Sequence, residues 1–362
     1  MEDLGVTNLG ATDSFWKGRR VFLTGHTGFK GGWLAVMLER LGAVVTGYSL
    51  APEGDRTLFA SARVDRHAKS IIADIRDLSV LRAAVSAAAP EVVLHLAAQA
   101  LVLTSYERPL DTFSTNVVGT ANVLEAARET SSVRAVVVVT SDKVYKNREW
   151  AWGYRENDEL GGRDPYSSSK ACTELVAASY RDSFLAARGV ALATARAGNV
   201  IGGGDWAANR IVPDFVRATI AGEPLRVRNP ASTRPWQHVL EPIEGYLVLA
   251  RRLLEDPKAY ATGWNFGPPP DAVQPVRRLA DDLVAAWGDG ASWRAETVDQ
   301  PHEAGLLTLD ATKARRELSW TPRLGYERGV RATVDWYRAY ARGADCEAKT
   351  IEQVDAYLDP QS

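Results

Sequence analysis

The chain has 362 residues, of which 46% are apolar and 24% charged, the balance of a protein with a sizeable buried core. Lysine and arginine total 43 against 45 aspartate and glutamate, so the net charge of −2 gives no reason to expect nucleic acid or an anionic membrane as a partner. The two cysteines are too few for a structural zinc site, and no metal site is expected. With no membrane-length apolar run and no apolar core in the acidic amino terminus, a cytoplasmic protein is expected.

Six apolar runs in the first half predict strands that are covered on both faces, because they are rich in Val, Leu and Ile without polar alternation. They span 20–24, 44–49, 70–73, 92–96, 135–140 and 190–195. Helical stretches lie between them at 32–41, 78–88, 115–127 and 168–187. This repeated order predicts an α/β fold of the Rossmann type with a doubly wound parallel sheet.

Beyond residue 199, glycines and prolines punctuate shorter elements, and helical stretches return at 211–221, 241–254, 276–287, 311–318 and 325–342. This half predicts a smaller mixed α/β lobe that binds substrate and interleaves with the sheet. We expect a mobile arm at 1–14, a dinucleotide-binding domain at 15–199, mainly the substrate-binding lobe at 200–345 and a C-terminal tail at 346–362.

Gly25, Gly28 and Gly31 form G-x-x-G-x-x-G between the first predicted strand and the first helix. The first glycine permits a tight turn, the second a close approach to a pyrophosphate, and the third close packing of helix on strand. Backbone N–H groups at the helix start would then face the anion, and Lys30 could add positive charge nearby.

The acid that usually binds the cofactor's ribose should follow about 20 residues later. Here Glu53 and Asp55 lie just beyond the second predicted strand, beside Arg56, which could instead meet a 2′-phosphate. These residues therefore leave NAD and NADP both open. Asp74, after the third strand, is placed to reach adenine, or equally to act as an acid at a helix N-terminus.

Tyr166 and Lys170 form Y-x-x-x-K at the start of a predicted helix, and a spacing of four places both on one face. A lysine ammonium near the phenol should favour the phenolate and lower the pKa of Tyr166. The tyrosine could then take a hydroxyl proton while hydride leaves the same carbon. An exposed pair without function is the alternative, since this spacing is common by chance.

Thr140, Ser141, Asp142 and Lys143 stand at the carboxyl end of the fifth predicted strand, the edge where such sheets bind ligands. Their hydroxyl, acid and amine groups could orient an oxygen, donate a proton and accept a proton. A salt-bridged turn would be favoured if the cluster stood alone, and its combination with the Y-x-x-x-K pair favours the catalytic interpretation.

The segments GHTGFKGGWL, HLAAQ, TSDKVYKNREW, DPYSSSK and GNVIGGGDW resemble the extended short-chain dehydrogenase/reductases. Within them, they look like the nucleotide-sugar 4,6-dehydratases that act on CDP-glucose. The resemblance implies NAD as cofactor, a homodimer or higher homo-oligomer, and a lyase of deoxysugar biosynthesis that converts CDP-glucose to its 4-keto-6-deoxy derivative and water.

The resemblance also implies roles for individual residues. Tyr166, supported by Lys170 and Ser141, would take the 4-hydroxyl proton, Lys143 the C5 proton, and Asp142 would protonate the departing 6-hydroxyl. Asn199, Arg210 and Arg234 would bind the sugar nucleotide, where arginines pair strongly with a diphosphate. Tyr166, Lys170 and the following residues would line the cofactor pocket: Gly25, Thr27, Gly28, Phe29, Lys30, Gly31, Asp74, Ile75, Leu96, Ala97, Ala98, Gln99, Asn116 and Thr140.

Other functions stay open from the sequence. A sugar-nucleotide epimerase or reductase would use the same scaffold, but epimerisation at C4 needs no acid for a leaving 6-hydroxyl, so Asp142 and Lys143 argue against it. A dehydratase for another nucleotide sugar, or a nucleotide sensor with a dead site, are further alternatives. The alanine-rich helices at 115–127 and 168–187 would form a four-helix dimer interface or, alternatively, pack in the interior.

Overall fold

The computed structural model describes residues 14–54, 56–296 and 306–359. Asp55 and residues 1–13 of the expected arm lie outside the described residues. The strands are β1 (Arg20–Thr24), β2 (Val44–Ser49), β3 (Lys69–Ile72), β4 (Val92–His95), β5 (Ala135–Val139), β6 (Ala191–Ala197), β7 (Val200–Ile201), β8 (Leu225–Val227), β9 (Thr233–Pro235), β10 (Gln237–His238), β11 (Gly263–Phe266), β12 (Val273–Pro275) and β13 (Trp293–Ala295).

The helices are α1 (Phe29–Arg40), α2 (Leu58–Ser61), α3 (Leu78–Ala88), α4 (Val102–Glu107), α5 (Pro109–Phe113), α6 (Gly119–Glu129), α7 (Pro165–Tyr180), α8 (Ile211–Ile220), α9 (Leu240–Glu255), α10 (Pro257–Tyr260), α11 (Val276–Trp287), α12 (Thr312–Glu317), α13 (Gly325–Ala341) and α14 (Cys346–Leu358). A π-helical turn, Ser114–Val118, joins α5 to α6, and a second, Arg181–Leu185, extends α7.

Seven strands form one parallel sheet in the order β11-β6-β5-β4-β1-β2-β3. The chain runs from β1 outward to β3, then returns to β4 on the other side of β1. The strand order therefore reverses between β1 and β4, the place where doubly wound sheets open a crevice for a dinucleotide. The predicted fold class is confirmed.

Both faces of the sheet are covered, and each strand contributes to both because its successive side chains point in opposite directions. On β1, Val21 and Leu23 pack in the larger core with α1 and α9, whereas Phe22 packs in a second core with α3 and α6. This two-sided burial explains why the sheet strands read as continuous apolar runs.

Strand β11 was not predicted from the sequence. Its four residues, Gly-Trp-Asn-Phe, contain a glycine and a buried asparagine, so they do not form an apolar run. Pairing with β6 nevertheless places it at the edge of the main sheet. The second half of the chain thus supplies one strand of this sheet as well as three two-stranded sheets, β7 with β10, β9 with β12 and β8 with β13.

The glycines at 202–204 let the chain pass from β7 under α13. A Cβ on Gly203 would lie 2.0 Å from the ring of Trp336, and the Gly203 carbonyl accepts a hydrogen bond from Trp33 Nε1 at 2.9 Å. Residues 346–358 of the expected tail form α14, which packs against α1 and α13. Within the described ranges, no helix is long and apolar enough to cross a bilayer. A cytoplasmic location stays a prediction.

Candidate active site

The glycine turn after β1 has the shape of an anion cradle. Gly25 has a φ of 83°, and a Cβ there would lie 2.8 Å from the Ala97 nitrogen in the turn after β4. A Cβ on Gly31 would lie 2.0 Å from the Gly25 carbonyl oxygen. Gly28 precedes α1 without a side-chain cap, which leaves the helix N-terminus to another partner. Backbone N–H groups and the helix dipole suit a diphosphate there, so the turn fits a dinucleotide.

The side chains around this turn connect it to the neighbouring elements. Thr27 donates a hydrogen bond to the Leu50 carbonyl at 3.0 Å, just past the end of β2. The ring of Phe29 lies against Gly202, where a Cβ would be 3.1 Å from it. The half-buried Lys30 donates to the Tyr246 hydroxyl at 3.4 Å and therefore points toward α9 and the interior.

Asp74 follows β3, as expected, but its carboxylate is occupied by Arg76. Arg76 donates from Nε at 2.8 Å and from its backbone nitrogen at 2.8 Å. These hydrogen bonds hold the pKa of Asp74 below its usual value, so the group stays ionised. Ile75 is buried beside Gly119, where a Cβ would clash with its side chain at 2.6 Å.

Hydrogen bonds fix the segment after β4. The backbone nitrogens of Leu96 and Ala97 both donate to Thr24 Oγ1 at 3.1 Å. The Gln99 nitrogen donates to Asn116 Oδ1 at 2.8 Å, and Asn116 Nδ2 donates to Ser169 Oγ on α7 at 2.8 Å. Asn116 therefore joins the turn after β4 to the helix that carries the Y-x-x-x-K pair.

The expected cofactor residues share one edge of the sheet. Those at 25–31, 74–75, 96–99 and 140 follow the carboxyl ends of β1, β3, β4 and β5, and the other three lie in helical segments beside them: Asn116, Tyr166 and Lys170. Glu53 and Arg56, beyond β2, are exposed.

Ser141, Asp142 and Lys143 form a short turn directly after β5. Ser141 Oγ lies 2.9 Å from Asp142 Oδ1 and accepts a hydrogen bond from the Lys143 nitrogen at 3.2 Å. Asp142 is buried, and burial raises the pKa of its carboxyl, although Lys143, Ser141, Arg234 and Lys30 act in the opposite direction. A raised pKa lets a carboxyl hold its proton to a higher pH, which favours its use as a general acid.

Tyr166 lies beside this turn, but its pKa differs from the expectation. Burial is the largest influence and raises the pKa of Tyr166 to about 12, while Ser141 and Arg210 lower it. The expectation that Lys170 would lower this pKa is wrong, because desolvation of the phenolate is the largest influence and Lys170 is not among the groups that lower the pKa. Lys170 donates to the Val139 carbonyl at 3.3 Å, and burial and Lys30 lower its pKa to about 8.

The expected substrate residues come from the second half of the chain. Arg210 pairs with the buried Asp205 at 2.9 Å and is close enough to Tyr166 to affect its ionisation. Arg234 is buried on β9 and interacts with Asp142. Asn199 lies after β6, next to Gly198, where a Cβ would be 2.9 Å from Asp142 Oδ2.

Sequence reasoning missed three charged residues around this site. Asp205 holds Arg210, and Glu174 and Arg196 form a buried ion pair at 2.8 Å behind the turn at 141–143. One signal was present: Arg196 interrupts the apolar run of β6, and Glu174 follows Lys170 by one helical turn. Across the described ranges, no group of three or more His, Cys, Asp or Glu could hold a metal ion.

A family model and a relative of known activity each match more than half of the chain. The model described as the NAD-dependent epimerase/dehydratase family matches residues 21–263. A CDP-glucose 4,6-dehydratase of Salmonella typhimurium is 47% identical over 350 residues, which cover 95% of this chain and 98% of the relative.

Solved structures are similar over nearly the whole chain. The dTDP-glucose 4,6-dehydratase DesIV of Streptomyces venezuelae, solved with NAD, is 25% identical with a TM-score of 0.76, and the match covers 91% of this chain and 99% of DesIV. A UDP-glucose 4-epimerase of Stenotrophomonas maltophila, also with NAD, is 24% identical with a TM-score of 0.78, covers 90% and 100% of the two chains, and shares the fold.

Proposed function

Because the chain belongs to the NAD-dependent epimerase/dehydratase family, we propose that it is a lyase that converts CDP-D-glucose to CDP-4-keto-6-deoxy-D-glucose and water. The observation that carries this proposal is the meeting of Ser141, Asp142 and Lys143, at the end of β5, with Tyr166 on α7. Oxidation at C4 needs only the tyrosine, whereas loss of the 6-hydroxyl needs an additional acid and base. The cluster contains both.

The family is NAD-dependent, which decides the cofactor that the residues alone left open. The glycine turn and the start of α1 would hold its diphosphate, and the segment after β4, with Asn116, would border it. Bound there, NAD would supply an acceptor for the hydride of C4 and a donor of hydride to C6.

The chain's own groups would move the protons. Tyr166 removes the proton of the 4-hydroxyl, with Ser141 hydrogen-bonded to the same oxygen. The resulting 4-keto group acidifies the C5 proton, which Lys143 removes. Asp142, whose pKa is raised by burial, protonates the departing 6-hydroxyl, so that water leaves from C6.

The diphosphate of the substrate would lie between the two arginines. Arg210 is held by Asp205 from behind, and Arg234 is buried, so both guanidinium groups have restricted positions. Charge-assisted pairs with phosphate oxygens are strong and directional. With Asn199 they would fix the sugar beside Tyr166.

The direct test incubates the protein with CDP-glucose deuterated at C4. The proposal expects a 4-keto-6-deoxy product that carries the deuterium at C6, without net formation of NADH. A C4 epimer would instead support the epimerase alternative, and binding without turnover would support a sensor. Competition among CDP-, UDP-, dTDP- and GDP-glucose then tests the base, for which the 47% identical relative supports cytidine.

The role of Lys143 has a matched control close by in the chain. Lys143→Met should abolish release of water but leave C4 oxidation, because only the base at C5 is lost. Lys146→Met removes an exposed lysine that pairs with Glu159 at 2.7 Å and should change neither step. Normal dehydration by Lys143→Met would refute its role as base.

We also propose that the chain forms a homodimer through α5, the turn at 114–118 and α7. These elements carry large apolar side chains that are exposed to solvent: Leu110 is 83% exposed, Leu175 61% and Val118 54%. Large exposed apolar side chains on neighbouring elements are a feature of protein–protein contacts. Sedimentation that finds only monomer at working concentrations would contradict this.

A further inference from the structure

A buried ion pair lies directly behind Ser141, Asp142 and Lys143, the catalytic turn. Glu174 on α7 and Arg196 on β6 are each 5% exposed. Four hydrogen bonds reach the Glu174 carboxylate: two from Arg196, at 3.0 and 2.8 Å, one from Thr194 at 2.6 Å and one from Thr140. The carboxylate is therefore fully occupied and is not available to a substrate.

The same network holds both ends of the catalytic turn. Thr140, which donates to Glu174, immediately precedes Ser141. At the other end, Arg196 donates to the Tyr145 hydroxyl at 2.8 Å, and Tyr145 donates to Asn265 Oδ1 on β11 at 2.7 Å. Ser141, Asp142 and Lys143 therefore lie between two fixed residues, Thr140 and Tyr145, and hydrogen bonds connect both of these to the Glu174–Arg196 pair.

We propose that Glu174 and Arg196 are positioning residues, which set the place of Ser141, Asp142 and Lys143 relative to the tyrosine on α7. This rests on the proposed dehydratase function. Glu174 follows Lys170 by one helical turn, so the helix that carries the Y-x-x-x-K pair also carries the anchor for the acid–base turn. The two halves of the active site are therefore held in register by one buried carboxylate.

Stability alone is a weak reason for such a pair, because well-packed apolar replacements of buried ion pairs are often neutral or stabilising. That property supplies the test. The double variant Glu174→Leu with Arg196→Met removes both charges and should fold. The matched control is Glu244→Leu with Arg323→Met, which removes another buried ion pair, on the α9 side of the molecule.

The double variant at Glu174 and Arg196 should lose about 10- to 100-fold in kcat, the effect of misplacing reactive groups by about 1 Å. The KM for CDP-glucose should change little, because Arg210, which would hold the diphosphate, is fixed by Asp205. In single turnover, NADH should accumulate, since C4 oxidation depends mainly on the tyrosine on α7 and takes only Ser141 from the turn, whereas elimination depends on both Asp142 and Lys143. The control pair should change none of these.

Smaller changes keep the test valid if the double variant does not fold. Thr194→Val removes one hydrogen bond to Glu174 and should cause the same imbalance to a smaller extent, and Thr194→Ser should restore the parent. A folded double variant with parental kcat and no NADH accumulation would overturn the proposal.

A crystal structure of the double variant separates this proposal from the proposed function. Displacement of residues 140–145 with Tyr166 in place is expected even if the parent does not convert CDP-glucose. An undisplaced turn would overturn the positioning role whatever the substrate is.

Discussion

Replacing Gly31 by alanine tests whether the turn after β1 binds the cofactor. The new Cβ would lie 2.0 Å from the Gly25 carbonyl oxygen and 2.6 Å from its carbonyl carbon. Both are backbone atoms, and ordinary van der Waals separations exceed about 3 Å. The turn or α1 would therefore have to move by about 1 Å. Gly25 cannot move away, because the backbone of Ala97 already lies close to it: a Cβ on Gly25 would be 2.8 Å from the Ala97 nitrogen.

The expected magnitude follows from this geometry. Overpacking against backbone costs about 1–3 kcal/mol or more, and a helical Gly→Ala change returns about 1 kcal/mol. The larger effect should fall on binding, because displacing the N–H groups of the cradle by about 1 Å should weaken NAD affinity by about 100-fold. Gly32→Ala is the matched control: the nearest atoms to its Cβ belong to side chains, Leu58 Cδ2 at 2.8 Å and Leu58 Cγ and Val64 Cγ2 at 3.4 Å, which can shift more readily than backbone.

NAD titration by calorimetry measures the NAD affinity, and thermal unfolding in the presence and absence of NAD measures the stability. Gly31→Ala should lose the NAD-induced rise in Tm, whereas Gly32→Ala should keep it. Equal NAD affinity in the parent and Gly31→Ala, or equal losses in both variants, would refute the assignment of this turn.

Three further outcomes are expected. Asp142→Asn should lower dehydration by about 10²- to 10⁴-fold, the usual effect of losing a general acid, while NADH still forms on mixing with CDP-glucose; unchanged product formation would contradict this. Leu175→Glu should shift the sedimentation of a dimer toward monomer, and Leu175→Met should not. Burial lowers the pKa of His26 to about 4, below its ordinary 6.5, so between these values only the unfolded chain binds that proton. Stability should therefore fall as the pH drops through this window, by about 1.4 kcal/mol per pH unit for this group, and His26→Gln should reduce the slope in urea titrations by that amount.

The sequence predicted features that depend on local pattern. Helices α3 and α11 have the bounds expected from their apolar periodicity, and the turn at Gly25–Gly31 lies between strand and helix as its spacing indicated. Such features are legible because each rests on residues within a few positions of one another: a glycine for a positive φ, or a spacing of four for one helical face.

Strand β11 and the state of single groups needed the tertiary structure. Gly263–Phe266 becomes a strand only because β6 offers a free edge for it. Asp74 looked available for adenine, but its carboxylate is taken by Arg76, a local contact two residues along the chain that sequence reasoning missed. The pKa of Tyr166 rises rather than falls, since burial outweighs the hydrogen bond from Ser141 and the charge of Arg210.

Local sequence pattern was enough to predict the class of fold and the residue types that meet at the end of β5, because sheet topology places the carboxyl ends of successive parallel strands on one edge. How those residues are held depends on long-range packing. The Glu174–Arg196 pair joins α7 to β6, two elements whose contact no local pattern records, and two charges can be buried only where packing brings every one of their partners together.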